Sequence, residues 1–496
     1  MIAEAIVVLI ITSYLSYIWL FGFWDRRNVF NIKFGFTLQT FPKILIRNEH
    51  IQDFFVDLYT KYKSHGIVGF YAMFTPMLLV TDPEIVKTVM VKDFNKFTDT
   101  GIEIRKDVDP LFAINPFVAK GIEKWKELRS IQAANLTAVR FKEIIPTIHR
   151  VAESMVDYVR EKKMEPITAQ KLSFMYTVDN ACSCGFGIEP SAFTDTENNF
   201  IKYANSDKLF NPSPLTMYCH LFIPAMTSVL KLRILSEEAG DFFDSFVKKM
   251  IEYRTSSNIT KNDLINHIMK INQKLKEENK PAYTNLELAG HCMTFYVDST
   301  ATSASQLTFF LFDLADNPEV QEKLRKEISS ISKCPSDFDI EKINSINYLN
   351  MAINESIRIH TQATWISRTC TQDSVIANTP IPKGTKVFIP IGQFHKDPEY
   401  FPDPNKFDPE RFSEENKDSI PKYTFLPFGE GPRICVGFKF ALLQIKLAVI
   451  FLLLNFTILP SNQEGKEGIV IDNTAFVTPG SSSKLKFKPI IQDISQ

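Results

Sequence analysis

Hydrophobic positions fall into distinct regimes along the chain. From Ala5 to Trp24, twenty residues run without a charge and close on the aromatics Trp19, Phe21, Phe23 and Trp24, which is enough to cross a bilayer as a helix with an interfacial aromatic belt. Beyond that run, apolar residues recur at three- and four-residue spacing around Ile51 to Tyr62, Lys120 to Asn135, Arg140 to Lys162, Phe242 to Tyr253, Leu286 to Asp316, Pro318 to Ser332, Asn347 to His360 and Gly437 to Leu454, and this period predicts helices. Short β-rich runs near Ile67 to Tyr71, Met77 to Thr81 and Lys386 to Pro390, and in the tail around Phe476 and Leu485 to Phe487, predict small sheets. Between Ile389 and Pro432 no period holds, yet Phe, Tyr and His recur among the prolines and aspartates. That composition predicts an ordered meander rather than a linker. The expected fold is mainly α with small β-sheets, preceded by an N-terminal transmembrane helix.

No Ser/Gly linker, charge run or repeat interrupts the chain after residue 50, so residues 28–496 read as one catalytic body behind a membrane anchor at residues 1–27. A cleaved signal peptide would have a shorter apolar stretch that follows a basic segment and ends in small residues. Here Glu4 precedes the run, while Asp25, Arg26, Arg27 and Lys33 follow it. Arg26 and Arg27 place the body on the cytosolic side, where the sequons at Asn135, Asn258, Asn354 and Asn455 are unused.

Composition narrows the partners. Fifty-six basic residues against 57 acidic ones leave a net charge of -1 in 496 residues, so no nucleic-acid partner is called for. The seven cysteines are odd in number and scattered, unlike a secreted disulfide framework. Cys182 and Cys184 stand one residue apart with no second pair at zinc spacing, and read as core thiols.

The most informative stretch is Phe428-Gly429-Glu430-Gly431-Pro432-Arg433-Ile434-Cys435-Val436-Gly437, a glycine-rich loop presenting one cysteine just before an apolar helix that starts near Phe438. A helix N-terminus favours a thiolate, and backbone N–H groups of such a turn can bond the sulfur. For a lone loop the plain alternative is an ordinary buried cysteine. The full pattern F-x-x-G-x-R-x-C-x-G, matched at every fixed position, resembles the haem-binding signature of the cytochrome P450 family. Glu355-Ser356-Ile357-Arg358 is similar to the family's E-x-x-R, and Pro409-Glu410-Arg411-Phe412 follows at the family's distance. The resemblance extends over essentially the whole chain and is strongest toward insect microsomal members.

It implies haem b (iron protoporphyrin IX) with Cys435 as the axial ligand and metal-binding residue, cradled by Phe428, Arg433 and Gly437. Trp125, Arg129 and Arg368 then resemble the propionate contacts, and Glu355, Arg358 and Arg411 a buried structural network. The helix Leu286 to Asp316 resembles the family's central helix, which puts the usual oxygen-side threonine at Thr302. Here the pattern breaks. Asp298-Ser299-Thr300-Ala301-Thr302 lacks the customary acid at Ala301 and the customary glycine at Ser299. Asp298 stands one turn before Thr302 on the same face. It can replace that acid as a proton carrier, form an ester to a haem methyl, contact a polar substrate group, or simply bond within the helix. His360-Thr361-Gln362 replaces the usual aromatic-Pro-Pro, and the usual Pro-rich hinge after the anchor is absent.

By the same resemblance the substrate pocket draws on the Thr100 to Phe117 loop, the Phe210 to Ile234 segment, Phe295 and Trp365, although large rings can equally be core. Leu221-Phe222-Ile223-Pro224 is a candidate for dipping into the bilayer, with burial as its alternative. The implied reaction is a monooxygenase insertion of one atom of dioxygen into a lipophilic substrate. NADPH–cytochrome P450 reductase, docking around Arg433, supplies the electrons, with cytochrome b5 as a second donor, and the enzyme resides in the endoplasmic reticulum (microsomal) membrane. A haem-thiolate isomerase or peroxygenase that needs no reductase and a haem carrier or sensor are the rival readings.

Overall fold

The computed structural model describes residues 2–33, 51–72, 74–204, 209–210, 213–461, 470–471, 477–479 and 483–490. Its longest helix, Asn285–Asp316, starts where Thr284 accepts from the Glu287 backbone and the Glu287 carboxylate accepts in return from the Thr284 N–H. This capping box satisfies two of the N–H groups a helix start leaves open. The interior of the helix is buried on nearly all sides, and Ala169–Phe186, Glu237–Ser256, Asn347–Ile359 and Phe438–Asn455 pack around it. Ile51–Tyr62, Ile122–Ala134, Ala138–Glu161 and Pro318–Ile331 complete the set that the apolar spacing predicts. Ala169–Phe186 and Leu264–Glu277 are additional helices.

Among the described residues five strands form the main sheet, in the order Asn31–Ile32, Ile67–Ala72, Thr75–Val80, Lys386–Ile389, Ile366–Thr369. Within it, Thr75–Val80 runs parallel to Lys386–Ile389, which pairs antiparallel with Ile366–Thr369 so that Arg368 lies opposite Val387. This non-local pairing carries Arg368 toward the site. A smaller sheet joins Phe456–Pro460, Lys484–Pro489 and Ile167–Thr168; Phe476 lies outside the described residues. The meander contains one short helix, Ile391–Lys396, followed by single 3-10 turns.

Among the described residues two helices are long and apolar enough to cross a membrane, and burial separates them. Phe438–Asn455 has 72% of its apolar window inside the protein, against 11% for Glu4–Arg27, so the first is a core helix and the second the candidate span. Trp24 welds the end of the span to the sheet. Its indole donates to the Phe70 carbonyl at 3.4 Å, Tyr71 donates to Phe21 O at 2.9 Å, and a Cβ on Gly69 would meet the indole at 2.6 Å. The Leu221–Pro224 stretch takes the buried alternative, with Leu221 and Phe222 packed with Phe70 and Phe388 and Ile223 against them, and the exposed apolar side chains are those that follow it, Met226, Val229 and Leu230.

Candidate functional site

The loop ahead of Phe438 is held by its own backbone. Cys435 N donates to Phe428 O at 2.9 Å and Ile434 N to Gly431 O at 3.0 Å, while the Phe428 and Phe438 rings lie 5.8 Å apart. Gly431 has φ +73, and an added Cβ would come within 2.0 Å of Met90 O. Only glycine lets this loop rest on the Thr88–Lys92 turn. Opposing influences act on the thiol. Burial pushes Cys435 up, while the Gly437 and Phe438 N–H groups at the helix start and the charge of Arg129 pull it down. Burial wins, so the stable thiolate that the loop's position invites calls for a cation at sulfur. Cys435 nonetheless presents open surface, and a Cβ on Gly437 would meet nothing within 4 Å. Open surface this deep in the protein belongs to the wall of an internal cavity.

Three guanidiniums converge beside it. Arg433 donates to Pro116 O at 3.1 Å and Ala119 O at 3.0 Å and lies over the Trp125 ring at 4.9 Å. Arg129 approaches the same ring at 5.7 Å. Arg368 spends Nη1 on Ser367 O at 2.8 Å. Burial pushes Arg433 down to about 9, with Arg368 and Arg129 repelling it and Asp99 alone in opposition; burial likewise takes Arg368 to about 10. The Nε atoms of Arg368 and Arg433 are buried without a partner. Such a cluster calls for an external anion. A dianionic macrocycle edge above a cysteine sulfur supplies both the missing acceptors and the missing cation, and the residues present fit a haem. Arg433 faces inward and is no surface docking residue; the exposed cations on the same helix and loop are Lys124, Lys126 and Lys439.

On the central helix, Asp298 and Thr302 are exposed while Phe295–Val297 and Ser303–Leu311 are buried, so they too face the cavity. Thr302 Oγ1 donates to Asp298 O at 3.0 Å. The Asp298 carboxylate accepts from Asn115 Nδ2 at 3.2 and 3.1 Å, and Asn115 Oδ1 in turn accepts from Phe117 N at 2.8 Å. Burial pushes Asp298 up to about 7, against the Asn115 hydrogen bond. Asn115 belongs to the Thr100 to Phe117 loop expected to line the pocket, but nothing in the sequence singles it out there, because a loop residue carries no periodic signal.

Behind the site, Arg358 forks onto Glu355 through Nε at 2.7 Å and Nη2 at 2.8 Å, and both side chains are fully buried. Arg411 reaches Glu355 at 3.3 Å and Asp408 N donates to it at 2.9 Å. Arg358 also donates to His395 O at 2.8 Å. The departing tripeptide makes a polar splice of its own. His360 stacks on Phe309 at 4.4 Å and meets Asp313 at 2.8 Å, Thr361 meets His395 Nδ1 at 2.7 Å, and Gln362 donates to Thr302 O at 2.8 Å.

Phe295 and Trp365 sit in packed core rather than at the cavity. The Phe295 ring fills the slot left by Gly185, where a Cβ would come within 2.3 Å of it, and neighbours Phe186 and Phe440 at 6.1 Å. Trp365 packs on Phe55 at 5.7 Å and Phe388 at 5.3 Å.

Residues 36–487 match the family model described as Cytochrome P450. Among curated relatives, the chain is 34% identical over 414 residues to mouse cytochrome P450 3A25, covering 81% of each chain. It is 30% identical over 487 residues to cytochrome P450 9e2 of Blattella germanica, covering 92% of this chain and 91% of that one. It is 34% identical over 410 residues to the lithocholate 6-beta-hydroxylase of Mesocricetus auratus, covering 80% of both.

Proposed function

The chain belongs to the cytochrome P450 family, and from that premise we propose that it is a membrane-anchored, reductase-dependent monooxygenase of lipophilic substrates, with haem b held by Cys435. The observation that carries this reading is the cluster of Arg129, Arg368 and Arg433 beside the Cys435 sulfur, a buried cationic group with two unpartnered Nε atoms. When bound, the haem would supply reductive activation of dioxygen, with a thiolate ligand that favours O–O cleavage.

The chain's own residues do the rest. Cys435 would ligate iron, with the backbone N–H groups of Gly437 and Phe438 moderating the charge on sulfur. Arg129, Arg368 and Arg433 would hold the propionates, and the Trp125 ring lies against Arg129 and Arg433. Glu355, Arg358 and Arg411 hold the meander against the haem-side loops and touch no reacting atom. On the opposite wall Thr302 and Asp298 would hold the protons that reduction of dioxygen consumes. Asp298 stands in for the acid absent at Ala301, and an acid near neutrality suits that task.

The relatives include enzymes of insects and mammals, one of them named for lithocholate hydroxylation, which supports a lipid-like substrate. The exposed apolar span before Arg26 and Arg27 supports residence in the endoplasmic reticulum membrane with the body in the cytosol. Lys124, Lys126 and Lys439 are the cations offered to the reductase, with cytochrome b5 as a second donor.

The test is expression in membranes with NADPH–cytochrome P450 reductase under heavy-isotope oxygen gas, offering lipids, steroids and plant toxins and following products by mass. One labelled oxygen in a product that disappears when reductase is omitted is the expected outcome. Product formed equally without reductase overturns the reading in favour of isomerase or peroxygenase chemistry; NADPH oxidation that no substrate accelerates favours a carrier or sensor.

A further inference from the structure

Asp298 is the one charged side chain in the stretch of central helix from Phe295 to Ser305. Among the described residues its only side-chain partner is Asn115, whose single amide nitrogen is shared between the two oxygens at 3.2 and 3.1 Å. An ionised carboxylate offers about four acceptor positions, so most of its capacity is turned toward the cavity that the exposed flank of the helix lines. Burial raises its carboxyl and the Asn115 hydrogen bond opposes that rise, with no cation taking part, and its charge in turn raises the Cys435 thiol. The protein has placed an anion in a poorly solvated position and left its complement to something else.

Asn115 makes this a built arrangement rather than a stray acid. The side chain is 2% exposed, and its oxygen is committed to Phe117 N at 2.8 Å, so the amide cannot turn to present its acceptor. It can only donate to Asp298. The Phe112–Ile114 turn that delivers Asn115 sits close on the central helix because residue 290 is glycine: a Cβ there would approach Ile114 Cδ1 at 2.8 Å and Leu111 O at 2.9 Å. Backbone fit, amide and carboxylate are therefore mutually dependent.

We propose that Asp298, its carboxylate oriented by Asn115, anchors the cationic end of lipophilic amines in the distal cavity. A protonated amine supplies both the charge and the donor that the carboxylate lacks. A fatty-acid carboxylate would set two anions against each other in a poorly screened space. The inference rests on the monooxygenase reading above and deepens it by naming a substrate class.

The experiment uses the full-length, haem-loaded chain in lipid discs, with ligand affinities measured by calorimetry. Three ligands of equal size are compared: N,N-dimethyloctylamine, the hydrocarbon in which a CH group replaces the nitrogen, and nonanoate. The wild type is expected to prefer the amine to the hydrocarbon by about tenfold to hundredfold, the range for a charge-assisted hydrogen bond, and to bind nonanoate weakest. Asp298→Asn should reduce the amine preference to about threefold or less with hydrocarbon affinity retained; Asp298→Ala serves equally where the amide variant does not accumulate. Asn115→Ala should lower the preference by a smaller factor, again leaving the hydrocarbon unaffected, a pattern that loss of packing alone would not give. An amine preference that persists in both Asp298 variants, as direct nitrogen–iron ligation would produce, overturns the proposal, and so does equal affinity for the three ligands in the wild type. The carbon monoxide difference spectrum, recorded before any ligand is added, reports separately on Cys435 ligation, so failure of the haem reading is distinguishable from failure of this inference.

Discussion

Replacing Glu355 by Gln strips the charge from a carboxylate that accepts from Arg358 Nε and Nη2, Arg411 Nε and the Asp408 backbone N–H. The amide keeps one oxygen and turns an NH2 group toward donors. Arg358, fully buried, is left with the His395 carbonyl at 2.8 Å as its main partner. Breaking one side of a buried pair costs about 3–5 kcal/mol because the remaining charge is uncompensated, a large share of a typical stability of about 5–15 kcal/mol. Glu355→Gln should therefore lower the denaturant midpoint of the full chain sharply and release haem at lower denaturant than the wild type. Replacing both partners by Met removes the stranded cation along with the anion. His395 O then loses a donor at a cost of about 1 kcal/mol, while Arg411, 12% exposed, can turn to water and keep its bond to Asp403 O. The Glu355→Met/Arg358→Met double variant should thus be more stable than Glu355→Gln alone. A single variant within about 1 kcal/mol of wild type, the level of an ordinary hydrogen bond, or a double variant less stable than the single one, would refute the claim that an unpaired buried charge dominates here.

Cys435→Ser should abolish the thiolate signature in the carbon monoxide difference spectrum while leaving far-UV circular dichroism unchanged. His395 accepts from Leu426 N at 2.8 Å, and burial holds it down at about 3 against an ordinary value of 6.5. The unfolded chain therefore takes up a proton first as pH falls below 6.5, and the wild type should lose stability across that descent relative to His395→Asn, measured by paired denaturation curves. Asp298 carries the opposite sign. Its folded value of about 7 lies above 3.8, so the folded state retains a proton that the unfolded state has released, and stability should fall as pH rises through that window, with the slope absent in Asp298→Asn. Gly431→Ala, which forces a Cβ to within 2.0 Å of Met90 O, should reduce haem occupancy of the purified protein, read from the ratio of haem to protein absorbance, more than Gly437→Ala, whose Cβ meets nothing within 4 Å.

What could be read in the sequence divides along the distance over which the chain must act. The cysteine loop is local: its glycines, Arg433 and the helix start at Phe438 occupy consecutive positions, and Glu355 and Arg358 share one helical turn. Their chemistry is therefore visible before any tertiary contact is known. Arg368 depends instead on pairing between strands Ile366–Thr369 and Lys386–Ile389, and without the family pattern it reads as one more charge. The helix Ala169–Phe186 is buried around most of its circumference, so it shows no apolar stripe for a period to detect. Phe438–Asn455 poses the same difficulty from the other side, since composition alone makes it a membrane span and only burial makes it core. Phe295 shares a helical face with Asp298, yet its ring leaves the cavity because Gly185, more than a hundred positions away, opens a slot for it. The same long-range logic hides Asn115. Nothing near it in the chain announces a partner, and its role exists only because Gly290 admits the Phe112–Ile114 turn against the central helix. A residue whose function depends on a glycine elsewhere leaves no local pattern, which is why the haem side of this cavity could be read from contiguous motifs while the wall that would choose a substrate required the fold.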